Sequence, residues 1–298
     1  AILMSSTNRE SGVAPDRAGL TAGAPASGRG PAPPPGPASW AGALVSLWLV
    51  LGLAQPAPSA DGAVVWLLRS QRARFPASDM RATFVLTVEG ATGKVLRREG
   101  RILRRSKGGD LADRLYVFDA PEAIRGLALL SRDVEGGPSD QWLYLPAYGK
   151  ARRVALHGTG DAFVGSDFSY GDLGRVRIED GRHRLDKGRA CGAAGDCVVV
   201  ETTGQSRSYP YGRVVNFIDP DDYLPRRVEY YDRGGALSKV LTVDETATVG
   251  GFATPTLITM RSQRSGGKSR LRLRDVAYDV GLTQEAFTVE RLQDLSAR

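Results

Sequence analysis

From residue 61 onward, apolar side chains recur mostly at every second position. In "RATFVLTVEG" (81–90), Phe84, Leu86 and Val88 share one face, and Thr83, Val85 and Thr87 share the other. The turn "ATGK" follows, and "VLRREGRILRR" runs back as the second arm of a hairpin. Further strand candidates are "RLYVFD", "RGLALLSRDV", "QWLYLP", "ARRVAL", "CVVVETT", "RVVNFID", "PRRVEYYD", "KVLTVDETAT", "TLITMRS" and "RLRLRDVAYDV". Turn chemistry such as "EGG", "DPDD", "DRGG", "VGG" and "RSGG" separates them. This spacing, without long helices in between, predicts a mainly β fold: one antiparallel sheet that curls on itself.

Helices belong at the two ends, which makes the class α+β with β dominant. "DGAVVWLLRSQRARF" (61–75) clusters Val64, Val65, Trp66, Leu67 and Leu68 and ends in Arg69, Arg72 and Arg74, a charge that suits a helix C-terminus. "DVGLTQEAFTVERL" (279–292) closes the chain with a helical turn. "TFVLTV" and "LALL" are apolar on both faces. A sheet with one wet face alternates cleanly, so here the second face is either covered by helices or lines a cavity.

Upstream the pattern changes. Residues 1–39 are rich in Pro, Gly, Ala and Ser and read as a disordered leader. Residues 40–60, "WAGALVSLWLVLGLAQPAPSA", hold an apolar run from Ala41 to Ala54, too short for the roughly 20 residues of a spanning helix. Arginines before it and small residues after it fit a signal peptide cleaved near Ser59–Ala60. Residues 61–298 are then one exported domain, expected in the periplasm. Export changes the reading of the two cysteines in "CGAAGDC": Cys191 and Cys197 are expected to close a small disulfide turn.

Composition removes several function classes. Net charge is +7, but the basic residues come in ones and twos with acids between them, as in Arg97-Arg98 and Arg226-Arg227. No basic stripe suggests a nucleic-acid partner, although transient contact with an anionic membrane surface is compatible. His157 and His183 stand 26 positions apart with no metal-binding spacing, so no metal or cofactor is expected. Ser166 lacks the second glycine of a nucleophile elbow, "GGKS" (266–269) lacks the first glycine of a phosphate loop, and "DPDD" (219–222) reads as a turn. No catalytic constellation emerges, and the chain is not expected to be an enzyme. In "FVGSDFSYGDL" (163–173), Ser166 and Asp167 are expected to cap backbone N–H groups, and Ser169 and Asp172 to start a helical turn.

One ordered series of motifs remains: "QWLYLP", the basic "RRV", "GSDFSYGDL", "DPDDYLP", "EYYD", then Lys239 and the closing "AFTVERLQDL". The series resembles the bacterial outer-membrane lipoprotein-sorting proteins of the LolA/LolB-like superfamily, over about residues 62–295. The resemblance implies a strongly curved sheet forming an open, incomplete barrel, closed by a few helices around a cavity for acyl chains. It implies a non-catalytic carrier of a lipid or lipoprotein acyl chain in outer-membrane biogenesis, serving an inner-membrane exporter of the resistance-nodulation type. We expect Phe84, Leu86, Val88, Trp142, Tyr144, Phe168 and Val199 to line that cavity. Two other classes compete: an envelope module that docks an exporter or anionic surface without cargo, and a hydrolase using Ser166 or Asp172.

Overall fold

A computed structural model describes residues 60–191, 195–204 and 209–295; the expected leader and signal segment lie outside them. Helix α1 (Ala60–Arg74) opens the described chain. Six strands follow: β1 (Asp79–Glu89), β2 (Val95–Gly108), β3 (Leu111–Ala120), β4 (Ala128–Arg132), β5 (Asp140–Leu145) and β6 (Lys150–Arg153). After a crossing segment, 154–181, come β7 (Arg182–Ala190), β8 (Asp196–Thr203), β9 (Arg213–Ile218), β10 (Pro225–Tyr231), β11 (Leu237–Val249), β12 (Phe252–Ser262) and β13 (Lys268–Tyr278). Helix α2 (Val289–Leu295) ends it.

All thirteen described strands belong to one antiparallel sheet, ordered β6-β5-β4-β3-β2-β1-β13-β12-β11-β10-β9-β8-β7. It consists of two up-and-down meanders joined where β1 pairs with β13. The sheet curves but does not close. Its two edges, β6 and β7, are consecutive in sequence, so segment 154–181 must cross from one edge to the other. That crossing is a strap over the inner face, built of short 3-10 turns, and it contains "FVGSDFSYGDL".

The parity of each strand decides its contacts. Met80, Phe84, Leu86 and Val88 face inward with Phe118, Leu127 and Leu129, and the strap's Phe163 and Phe168 pack on them. Phe118 meets Phe84 edge-on at 5.3 Å between ring centroids and Phe163 at 5.7 Å. Gly100 is required beside this cluster, because an added Cβ would lie 2.1 Å from the Val117 carbonyl oxygen and 2.7 Å from the Phe84 ring. On the outer face, Leu115, Val117, Ala128, Leu130 and Tyr144 are covered by Phe287 and Leu292. The two-sided apolarity of "LALL" therefore has a cavity-free cause at Ala128 and Leu130, the C-terminal cover. Helix α1 packs with Leu185, Val200 and Ile218.

Cys191 and Cys197 form a disulfide with their Cα atoms 5.2 Å apart. Closing so short a loop restricts the unfolded chain modestly. A Cys191→Ser, Cys197→Ser variant is expected to lose about 2 kcal/mol in urea denaturation and to keep its fold.

Candidate ligand cavity

The strap is fixed at three places. Asp167 receives the hydroxyls of Ser269 at 2.7 Å and Ser265 at 2.8 Å, and its own N–H donates to Ser269 Oγ at 2.8 Å. Ser265 lies in the β12–β13 turn, and Ser269, the last residue of "GGKS", is the second residue of β13. Farther along, Asp172 accepts the Ser169 N–H at 2.7 Å and the Tyr211 hydroxyl at 2.8 Å, with Lys239 Nζ 3.4 Å away. The bond from the Ser169 N–H helps start the expected turn, Tyr170–Leu173. At the third place, Gln141 Nε2 donates to the Tyr170 carbonyl at 2.9 Å, and Ser139 Oγ accepts the Arg175 N–H at 3.0 Å. Ser166 is buried and its hydroxyl donates to the Phe163 carbonyl at 2.7 Å, so it serves the backbone of the turn.

Between the strap, α1 and the inner face of the sheet lies a cavity of about 670 Å³, within the 300–1,000 Å³ typical of small-molecule pockets. Its apolar walls include Ile102, Tyr116, Phe168, Leu241, Ile258 and Leu271. Ile258 and Leu271 are paired across β12 and β13 yet only half-buried, as expected of side chains that face a space. The exposed lining residues Arg72, Ser78, Gly108 and Gly109 mark where it opens, between the end of α1 and the β2–β3 turn.

The electrostatics are graded from mouth to interior. Burial pushes the Tyr116 phenol above its ordinary range, and burial with the nearby Asp172 carboxylate does the same for Tyr230. These walls stay neutral at any physiological pH. Arg104 is different. Burial, and then the neighbouring Arg114, bring its guanidinium down to about 10, so it remains a cation at neutral pH.

Of the seven expected lining residues, Phe168 borders this cavity. Phe84, Leu86 and Val88 lie in the same inner core, in the packed region beneath the strap. Trp142 and Tyr144 pack on the outer face under Phe287 and Leu292, and Val199 packs in a separate cluster with Cys197 and Phe217. Sequence reasoning missed Arg104. Its signal was parity: it stands two residues from inward-facing Ile102, a position where an arginine is out of place.

A family model described as "-like: Uncharacterized protein" matches residues 110–294. No curated protein matches the sequence. The fold is similar to that of an outer membrane lipoprotein-sorting protein domain from Vibrio parahaemolyticus, with a TM-score of 0.74 and 27% identity over 79% of this chain and 100% of that one. It is also similar to a LolA superfamily protein from Nitrosomonas europaea, with a TM-score of 0.62 and 21% identity over 76% of this chain and 97% of that one. The chain belongs to the family of that model, and its fold is LolA-like. The fold is similar as well to that of a DUF1329 family protein from Desulfovibrio piger, with a TM-score of 0.72 and 25% identity over 79% of this chain and 99% of that one.

The motifs of the ordered series, scattered in sequence, converge in space. Gln141 of "QWLYLP" holds Tyr170 of "GSDFSYGDL". Lys239 meets Asp172, and Tyr230 of "EYYD" packs its ring, tilted, against Tyr211 with centroids 4.6 Å apart, the tyrosine that donates to Asp172. The family pattern is the means by which the strap is tied over the cavity.

Proposed function

We propose that this protein is a periplasmic carrier that shelters the acyl chain of a lipid or lipoprotein in the cavity beneath its strap, and that it performs no chemistry on that cargo. The observation that carries this reading is the 670 Å³ space with half-buried apolar walls. The name of the Vibrio relative, a lipoprotein-sorting domain, points the same way. Hydration of a 16-carbon chain costs about 12 kcal/mol at roughly 0.8 kcal/mol per methylene, so shelter is what such a cargo needs to cross water. Residues 1–60 would supply export, with cleavage near Ser59–Ala60, and an inner-membrane lipid exporter is the natural donor.

Native mass spectrometry of protein purified from membrane-containing cells is expected to show a co-purifying lipid, and the delipidated protein to bind a fluorescent fatty acid. Replacing Leu271 by Trp should fill the cavity and weaken that binding about ten-fold or more while the fold persists, as judged by circular dichroism. Absence of both lipid and fatty-acid binding would sink the reading, and salt-sensitive docking to anionic vesicles by an empty protein would favour a cargo-free interaction module.

A further inference from the structure

The inward face of β2 changes chemistry along its length. From the mouth inward, Gly108, Ser106, Arg104 and Ile102 border the cavity in turn. Arg104 therefore sits at the boundary between the polar entrance and the apolar interior. Pairing places it opposite Met80 on β1 and opposite Arg114 on β3. Two like charges directly opposite on one face repel, which is unfavourable unless a counter-charge lies between or beside them.

Arg114 has its counter-charge. Its Nη1 donates to both oxygens of Asp133 at 2.9 Å. Two further ion pairs lie at the cavity: Asp110 with Arg175 at 2.7 Å, and Asp172 with Lys239. Arg104 is only 6% exposed, and its Nε has no hydrogen-bond partner among the described residues. Its guanidinium rests on the Phe75 ring, 4.4 Å from the centroid, and Phe75 also borders the cavity. Asp133 attracts this guanidinium but forms no ion pair with it, so the buried cation is costly in the empty protein and the site gains most by receiving an anion. Arg72 and Arg74, in the last turn of α1, border the same entrance and add positive potential to it.

We propose that the cavity selects an anionic amphiphile, with Arg104 holding a phosphate or carboxylate headgroup just inside the mouth while the acyl chain runs inward past Ile102 and Leu271. This inference rests on the carrier reading and adds to it a chemical class of cargo. The guanidinium fork suits either oxyanion, and a headgroup placed there stays within reach of Arg74 and Arg114.

The test compares four probes by isothermal titration: palmitate, palmitoyl-lysophosphatidylglycerol, the uncharged monopalmitoylglycerol, and inorganic phosphate alone. Wild type is expected to bind the two anionic lipids about ten-fold or more tighter than monopalmitoylglycerol and to bind inorganic phosphate negligibly. In Arg104→Met the preference should vanish while monopalmitoylglycerol binding remains, and Arg104→Lys should restore part of it. The Met variant removes a buried charge that has no ion pair, so its thermal midpoint should not fall, and it serves as a folded control. Equal binding of charged and uncharged lipids by wild type, or a preference that survives in Arg104→Met, overturns the headgroup site and leaves the carrier reading standing. Phosphate binding as tight as that of the lipids would also overturn it, by showing a free-anion site. Failure of every acyl probe overturns both.

Discussion

Replacing Asp133 by Ala is expected to destabilise the protein by about 3–5 kcal/mol, measured by urea denaturation. Asp133 is completely buried. Its carboxylate accepts from Arg114, from the Ala112 N–H at 2.8 Å and from the Ser139 hydroxyl at 2.7 Å. Truncation leaves an uncompensated guanidinium beside Arg104, which has no ion pair of its own and loses the attraction of Asp133, and it frees a buried N–H and a part-buried hydroxyl. It also loosens Ser139, which holds the strap through the Arg175 N–H. Asp133→Asn keeps the shape without the charge and should fall between wild type and Asp133→Ala. Removing both charges in Arg114→Leu, Asp133→Leu should recover much of the loss, because two well-packed apolar groups carry no desolvation penalty. A loss below about 1 kcal/mol in the single variant would mean that Arg114 finds another counter-charge and that the account of this network is wrong.

These polar contacts show where sequence reading stops. The strands, the hairpin turns and both terminal helices follow from local pattern, and α1 occupies nearly the stretch that its apolar cluster and basic tail indicate. The turn begun at Ser169 was legible too, because Asp172 is three residues away and bonds its backbone. The partner of Asp167 was not, since Ser269 lies 102 residues on and only the β1–β13 pairing brings the two meanders together. The cavity was foreshadowed by two-sided apolar strands, but such strands have two causes. Leu130 is fully buried under the C-terminal cover, whereas Leu271 is half-buried against a space. Both are leucines in strands, and nothing in a one-dimensional pattern separates them. For the same reason Trp142 and Tyr144 read as wall residues although their strand turns them outward. Arg104, within "RILRR", reads as one more solvated arginine until its parity with Ile102 is taken seriously.

The strap offers the second large effect. Asp167→Ala should cost about 3 kcal/mol, because it deletes a carboxylate that two serine hydroxyls use and leaves the fully buried Ser269 without its acceptor. The consequence goes beyond stability. Phe168, the next residue, forms part of the cavity wall, and Phe163 anchors the same segment on Phe118. With the Asp167 carboxylate gone, 169–173 stays tied through Asp172 and Gln141, while 163–168 keeps the backbone N–H bond to Ser269 and its aromatic packing. Amide hydrogen exchange should therefore accelerate across 163–168 well before the sheet itself opens, since local opening now requires breaking fewer contacts. Fatty-acid binding should weaken in step, through faster release. Asp167→Asn, which preserves the acceptor oxygen toward one serine, should show a smaller version of both changes. Asp172→Ala should instead loosen 169–173 and strand the Tyr211 hydroxyl and Lys239. If exchange in 163–168 is unchanged in Asp167→Ala while global stability falls, the aspartate is only a turn-former and the strap is held by its aromatic packing. If both effects appear together, one carboxylate couples the second meander of the sheet to the cover of the cavity.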